Sequence, residues 1–259
     1  QRNIEQGHVA HEHRPGGTDE IGAPEDILRV IDQLPSDRLT EAGFDIEATA
    51  RDYAHSLRER IDKTRGETLF IAGFGQANFM GGYSRWGYEN YLVALMEFPD
   101  ALQRYYHHTA LLGRLTNTAI LLAHQKYGIA PFVYSGQDIC GSRGPIISPQ
   151  LLRQIYFPEL KWAMEPLVDN GIGVIWHCDG NINPILDDIL DLGVIALQGF
   201  EEEHGVSYDE IVALKDRSGE RLGVWGCVSV TSTLPHGTTE DVKAAVERSY
   251  TLAGKGRGF

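Results

Sequence analysis

The chain has 259 residues, and 23 Lys and Arg stand against 36 Asp and Glu, for a formal net charge of −13. Hydrophobic residues make up 42% of it, which is ordinary for a globular protein and argues against wholesale disorder. The acidic balance argues against partners such as nucleic acid or anionic membranes, and no apolar run approaches the roughly 18–20 residues of a membrane span.

The amino-terminal part of the chain, residues 1–44, is polar and is expected to form a separate segment with one short helix. Pro24 suits the first turn of that helix, and apolar residues follow it. His8, His11 and His13 also lie here, and a His-x-His pair can share one side of an extended segment, so a metal site is one interpretation. Histidines in a polar tail without function are the simpler one.

The remainder, residues 45–259, alternates between helical and strand periodicity. Helices are expected at 46–63, 88–96, 101–126, 150–171, 183–192, 207–217 and 239–253, and the helix at 150–171 is expected to bend near Pro158. Short apolar strands are expected at 67–73, 129–134, 173–176, 194–198 and 221–225, and a loop at 81–84. Strands that alternate with helices imply an α/β fold with parallel pairing. A doubly wound sheet stays open, although no nucleotide-binding glycine motif supports that version.

Polar residues follow these strands, where parallel α/β folds carry their chemistry. Asp138 comes after the second strand, His177 and Asp179 after the third, Glu201 after the fourth and Cys227 after the fifth. Turn formation explains most of the glycines in these loops. His177 is either a ligand or acid/base group, or a residue bonded to a neighbouring loop.

Three cysteines, Cys140, Cys178 and Cys227, are too few and too scattered for a disulfide framework. No two of them stand at Cys-x-x-Cys spacing. The simplest interpretation of each is a small buried apolar residue. A reducing cytoplasm is therefore the expected location.

Several separated motifs resemble the uroporphyrinogen decarboxylase superfamily. They are DICGSRGPIISP at 138–149, FPELK at 157–161, HCDGNI at 177–182, GCVS at 226–229 and GTTEDV at 237–242. The resemblance implies a TIM (β/α)8 barrel. Five recognisable strands are fewer than the eight of a closed barrel, so we expect a partial barrel at 45–259 that lacks the first and last strand regions.

This family has two chemistries, and the departures from its motifs help to choose. One is cofactor-free decarboxylation of uroporphyrinogen, and the other is corrinoid (cobalamin)-dependent methyl transfer with zinc. The decarboxylase run Gly-x-Pro-Trp-Thr is replaced by GQANF at 75–79. A polyanionic tetrapyrrole also needs cationic clamps, and only Arg85 and Arg143 are available at this face. Methyl transfer is therefore the preferred expectation, and the decarboxylase is the alternative.

The zinc motif of the methyltransferases, His-x-Cys-Gly, corresponds here to His177-x-Asp179-Gly180. Residues two apart in an extended segment share a side, so His177 and Asp179 can converge on one ion while Cys178 faces away. Imidazole and carboxylate both bind zinc, and Cys227 or Glu201 would complete the metal site. Without metal, the pair would act in acid/base catalysis, with Asp179 orienting the imidazole.

The expected roles are then as follows. Asp138, His177 and Asp179 are the catalytic candidates, and Asp138 would position substrate or accept a proton. The substrate-binding candidates are Phe79, Tyr83, Trp86, Arg143, Gln198 and Glu201, of which the three aromatic residues would form apolar pocket wall. The expected partners are a small methylated substrate and a corrinoid-binding protein. A homodimer is expected by analogy with the decarboxylases, and a non-catalytic corrinoid- or tetrapyrrole-binding barrel is a further alternative.

Overall fold

The computed structural model describes residues 21–226 and 228–254. The first half of this chain is helical. Its helices are α1 (Pro24–Asp32), α2 (Asp37–Ala42), α3 (Ile46–Lys63), α4 (Phe79–Trp86), α5 (Tyr88–Glu97) and α6 (Pro99–Tyr127). The apolar side of α1 joins the main core through Ile27 and Ile31, so this helix packs with the helices that follow it.

The second half alternates strands and helices. Its strands are β1 (Phe132–Gly136), β2 (Cys140–Gly141), β3 (Gly144–Pro145), β4 (Gly173–Cys178), β5 (Ala196–Gly199) and β6 (Gly223–Trp225). Its helices are α7 (Pro149–Ile155), α8 (Phe157–Val168), α9 (Leu186–Asp191), α10 (Tyr208–Ile211), α11 (Thr233–His236) and α12 (Thr239–Ala253). Short 3-10 turns precede α9 and α10.

A parallel sheet of four strands in the order β1-β4-β5-β6 forms the centre of this half, which confirms the expected α/β class. The order of these strands in the sheet is their order in the chain, because each connection returns the chain to a position directly beside the preceding strand. The strands β2 and β3 form a small antiparallel hairpin inserted after β1.

The two faces of the sheet differ in what covers them. Trp176 and Cys178 of β4 point into the main core together with Leu197 of β5, and all three are at most 2% exposed. His177 and Gln198 alternate with these residues and therefore lie on the opposite face. That face is open, and its apolar groove is lined by residues that include Phe132, Ile175, Trp225, Leu69 and Ile71.

The long helix α6 anchors the segment that leads to the site. Asn117 is fully buried on it, and its amide bonds both the N–H and the C=O of Gly75, at 2.7 and 2.9 Å. A side chain at Gly75 would overlap the backbone of Gly113 on α6. Only glycine therefore allows this close approach of loop and helix.

Two sequence expectations in this region are wrong. Residues 67–73 form no strand, because the segment meets β1 through a single backbone bond, from the Tyr134 N–H to the Ala72 carbonyl at 3.0 Å. The loop expected at 81–84 is part of α4, which Asn78 caps by accepting from the Gly81 N–H at 2.8 Å. The sequence therefore contains an N-cap residue, Asn78, before the two glycines Gly81 and Gly82.

The other expected helices and strands form, with shifted ends. The expected helix at 150–171 is interrupted at Tyr156, between α7 and α8 and next to Pro158. The helix expected at 207–217 stops at Ile211. In the described ranges, no helix has both the length and the apolar character that crossing a membrane requires.

Candidate metal centre

Three of the predicted residues meet at the carboxyl ends of β1 and β4. His177 is the fifth residue of β4, and Asp138 and Asp179 lie in the loops that follow β1 and β4. One ligand atom of each lies within 4.8 Å of the others, and no other such cluster occurs among the described residues. The expected convergence of His177 and Asp179 is present, and Asp138 belongs to the same group.

Both carboxylates face the same ring nitrogen of His177. The Nε2 atom lies 3.0 Å from Asp138 Oδ1 and 3.9 Å from Asp179 Oδ1. Ligand atoms about 2.0–2.2 Å from a tetrahedral zinc ion lie about 3.4 Å apart, so these separations bracket what one ion requires. Asp138, the nearer carboxylate, fits the part of a ligand as well as that of a catalytic group.

The other ring nitrogen is held by Gln198 on the neighbouring strand β5. Nδ1 lies 2.5 Å from Gln198 Oε1, which also accepts the hydroxyl of Tyr134 at 2.6 Å. An amide oxygen carries no proton, so Nδ1 must donate, and the neutral imidazole presents its lone pair at Nε2. The lone pair of Nε2 and the two carboxylates then face one another. Because all three are electron-rich, a positive charge between them is needed to stabilise the arrangement.

In the protein without metal, a proton supplies that charge. The hydrogen bond and charge of Asp138 raise the pKa of His177 to about 9, against the opposing effect of burial. The hydrogen bond from His177 in turn lowers the pKa of Asp138 below its usual range. The backbone N–H of Asp179 also donates to Asp138 Oδ1 at 3.2 Å, and joins the two loops.

Two glycines make room for this arrangement. A side chain at Gly136 would overlap the carbonyl of His177, because the ends of β1 and β4 approach closely. Gly199 has a φ of +90°, and a side chain there would press on Asp179 Oδ1. The strand ends therefore come close enough for the side chain of His177 on β4 to meet side chains from the two loops that follow β1 and β4.

A cavity of about 200 Å³ opens beside Asp179 and Gln198. Its other walls include Glu201, Glu202, Glu203 and Arg248. Arg248 is paired with Glu202 at 2.7 Å and with Asp209 at 3.0 Å. Glu201 has one buried carboxylate oxygen without a hydrogen-bond partner in the described structure. The cavity is small and acidic, which suits a small substrate without several negative charges.

The aromatic candidates divide between the site and the core. Tyr83 lies near Asp138, and burial together with that carboxylate raises the pKa of its hydroxyl. Phe79 and Trp86 are at most 1% exposed and pack against Tyr91 within the core. The prediction that these two residues form the wall of the pocket is therefore wrong. They are seven residues apart on α4, so they lie on the same face of the helix, and that face packs on the core.

The remaining candidates have different outcomes. Gln198 and Glu201 line the cavity, as a substrate-binding role requires. Arg143 is exposed in the turn between β2 and β3. Cys178 is buried away from His177, as expected from the strand alternation. Cys227, like His8, His11 and His13, lies outside the described residues.

The sequence reasoning missed Tyr134, which supports Gln198 from β1. The sequence offered one indication of this role. Tyr134 lies two residues before Gly136, so both lie on the same face of β1, and Gly136 pairs with His177. The sequence reasoning also missed Gln137, a buried side chain that accepts the N–H of Met80 at 2.7 Å and ties the start of α4 to the site.

Comparison with known protein families, with curated proteins and with solved structures found no match to this chain.

Proposed function

We propose that the protein is an enzyme of the uroporphyrinogen decarboxylase superfamily that binds zinc at Asp138, His177 and Asp179. Its reaction would be corrinoid-dependent methyl transfer to or from a small methylated substrate in the cytoplasm. The observation that carries the proposal is that two carboxylates converge on the one His177 nitrogen that Gln198 leaves free. The corrinoid and the partner protein that would carry it come from the family resemblance alone.

The ligand set suits zinc. Imidazole and carboxylate are both zinc ligands, and three protein ligands leave the fourth position that a catalytic site needs. When bound, zinc would act as a Lewis acid toward the group that gains or loses the methyl. The chain's own residues would hold it: Gln198 orients the imidazole, and the Asp179 N–H fixes the carboxylate of Asp138.

The scaffold expected for this family is an eight-stranded barrel, and two features of the sheet favour it. The strand order follows the chain without the reversal that defines a doubly wound sheet. The face opposite the core helices is apolar at one end and polar at the other, where His177 lies. We therefore propose that β1, β4, β5 and β6 are one arc of a barrel whose active site lies at the carboxyl ends of its strands.

The cavity favours methyl transfer over decarboxylation of uroporphyrinogen. Four acidic residues line it, namely Asp179, Glu201, Glu202 and Glu203, and its one arginine is already paired. A substrate with many carboxylates would meet repulsion there. At about 200 Å³, the cavity is also below the roughly 300–1,000 Å³ typical of drug-sized ligand sites, which fits a small substrate.

Zinc titration followed by calorimetry tests the metal site. Because His8, His11 and His13 are possible competing ligands, all proteins carry Ala at these three positions. We expect one zinc per chain, and loss of that binding in His177→Ala. The matched control is His236→Ala, an exposed histidine that is not part of the cluster, which should bind as the parent does. Equal binding by the parent and His177→Ala would refute the metal site.

Turnover assays then separate the reactions. The zinc-loaded protein is mixed under anaerobic conditions with free cobalamin that a chemical reductant holds in the Co(I) state and with a panel of methylated thiols, amines and aryl ethers, and methylcobalamin is followed by absorbance. Formation of coproporphyrinogen from uroporphyrinogen would instead establish the decarboxylase. A non-catalytic barrel predicts tight cobalamin binding that survives Asp138→Asn and His177→Ala, without turnover of any methyl donor.

A further inference from the structure

Two buried cysteines that the proposed chemistry does not use interact with each other, and both lie close in the chain to the candidate ligands. Cys140 belongs to β2 and Cys178 ends β4, and both thiols are free and no more than 8% exposed. A side-chain hydrogen bond between the two thiols raises the pKa of Cys140 and lowers that of Cys178. The Cys178 thiol donates to the carbonyl of Asp179 at 3.4 Å.

The same two segments carry all three candidate ligands. Asp138 stands two residues before Cys140, and Cys178 stands between His177 and Asp179. Backbone bonds fix the segments side by side: the Asn181 N–H donates to the Gly141 carbonyl at 3.0 Å. The segments that carry the two thiols are therefore held next to each other by the backbone, and a disulfide would bring their sulfur atoms to roughly 2.05 Å.

A buried tyrosine interacts electrostatically with Cys178. Tyr156 is fully buried at the break between α7 and α8, and its hydroxyl has no hydrogen-bond partner among the described residues. Burial and the interaction with Cys178 raise the pKa of the Tyr156 hydroxyl. A buried hydroxyl without a hydrogen bond is destabilising, and an oxygen on the Cys178 sulfur would accept a hydrogen bond from it.

We propose that Cys140 and Cys178 are a redox modification site, at which hydrogen peroxide produces a reversible disulfide. The Cys178 sulfur attacks the O–O bond and becomes a sulfenic acid, while its thiol proton and the displaced hydroxide form water. The Cys140 sulfur then attacks the Cys178 sulfur, the S–O bond breaks and the S–S bond forms. The Cys140 proton leaves with the hydroxide as a second water, so two thiols reduce one peroxide.

The disulfide would regulate the metal centre, and this part of the inference rests on the proposed zinc site. Closing the S–S bond draws the Cys140 segment toward β4, and Asp138 moves with it relative to His177. We expect zinc affinity to fall at least tenfold, the lower range for disturbed support of a ligand. A dithiol reductant restores both the thiols and the affinity.

Thiol counting tests the modification without reference to metal. The chain has three cysteines, so metal-free, unfolded wild type should titrate three thiols before peroxide and one after it. Peptide mass spectrometry should show Cys140 linked to Cys178 with the loss of two hydrogens. Cys227→Ser should give the same cross-link, and Cys140→Ser should give none. Three remaining thiols, a disulfide to Cys227, or over-oxidation without a cross-link would overturn the proposal.

The zinc measurement is a separate arm. Oxidised and reduced wild type are titrated with zinc, with peroxide-treated Cys140→Ser as control. A cross-linked protein with unchanged zinc affinity would refute the regulation while the modification stands. A protein that never binds zinc would refute the proposed function, and the thiol count would still decide the modification.

Discussion

Two histidines of this protein each contact two carboxylates, and only one of them forms a candidate metal site. His107 on α6 lies 2.9 Å from Glu159 through Nδ1 and 3.2 Å from Asp37 through Nε2. His177 directs both of its carboxylates to Nε2 and leaves Nδ1 to a neutral amide.

The difference lies in which nitrogen faces the acids. At His107, opposite edges of the ring are bonded, so the ring links α2, α6 and α8 and leaves no nitrogen for a ligand. It also stacks on Trp162, with ring centroids 5.2 Å apart. At His177, one nitrogen and two carboxylates share a single point, where a cation can bind. Composition alone would rank the two histidines equally, and geometry separates them.

The largest expected effect is a difference in zinc affinity between a substitution at the His177 site and one at the His107 site. Asp138→Asn should lower zinc affinity by more than about 100-fold, because it removes a ligand and not merely the support of one. Glu159→Gln should leave zinc affinity unchanged. At free zinc one hundred times its Kd, binding adds about 2.7 kcal/mol to the free energy of unfolding. Denaturant titrations should show that gain in Glu159→Gln and not in Asp138→Asn. The opposite pattern would assign the metal to His107.

The second prediction concerns the residue that orients His177. Gln198→Ala should lower zinc affinity about 10–100-fold, since Nδ1 loses its acceptor and the ring its fixed tautomer. Gln198→Glu should restore binding, because a carboxylate oxygen still accepts from Nδ1. Tyr134→Phe should lower affinity less than Gln198→Ala. Calorimetry measures all three, and unchanged affinity in Gln198→Ala would show that the amide does not position the ligand.

The smallest expected effect is the dependence of stability on pH at His107. Partial burial disfavours its charged form, but the hydrogen bonds to Glu159 and Asp37 prevail and raise the pKa of His107 above its usual range. A raised pKa in the folded state stabilises the protein fully below pH ~6.5, the unfolded value, and this gain is lost as pH rises through the folded value. Because the ring is 40% exposed, we expect only about 0.5–1 kcal/mol.

Urea unfolding between pH 5 and 8.5 measures this gain. His107→Gln should be less stable than wild type at pH 5, and the difference should shrink at the alkaline end. His236→Gln, with its exposed side chain, should follow the wild-type curve. A constant difference across the range would mean that the charge of His107 contributes nothing.

The sequence was informative where a pattern depends on neighbours along the chain. Alternation in β4 placed His177 and Asp179 together and turned Cys178 away, because successive side chains of a strand point to opposite faces. Helices were predicted well by their apolar stripes and caps, as at α6 and α12. One exception, residues 81–84, shows how two glycines can conceal a capped helix.

Only the tertiary structure decided what depends on distant segments. An apolar run such as 67–73 becomes a strand only if a partner accepts its register, and here a single bond to β1 is made. Asp138 became a ligand candidate because β1 and β4 are adjacent, and Gln198 a support because β5 follows β4. Phe79 and Trp86 entered the core because a helix formed there. By itself, the sequence determined which residues could carry the chemistry; the pairing of strands decided which of them meet, since contacts between distant segments are set by packing and not by spacing.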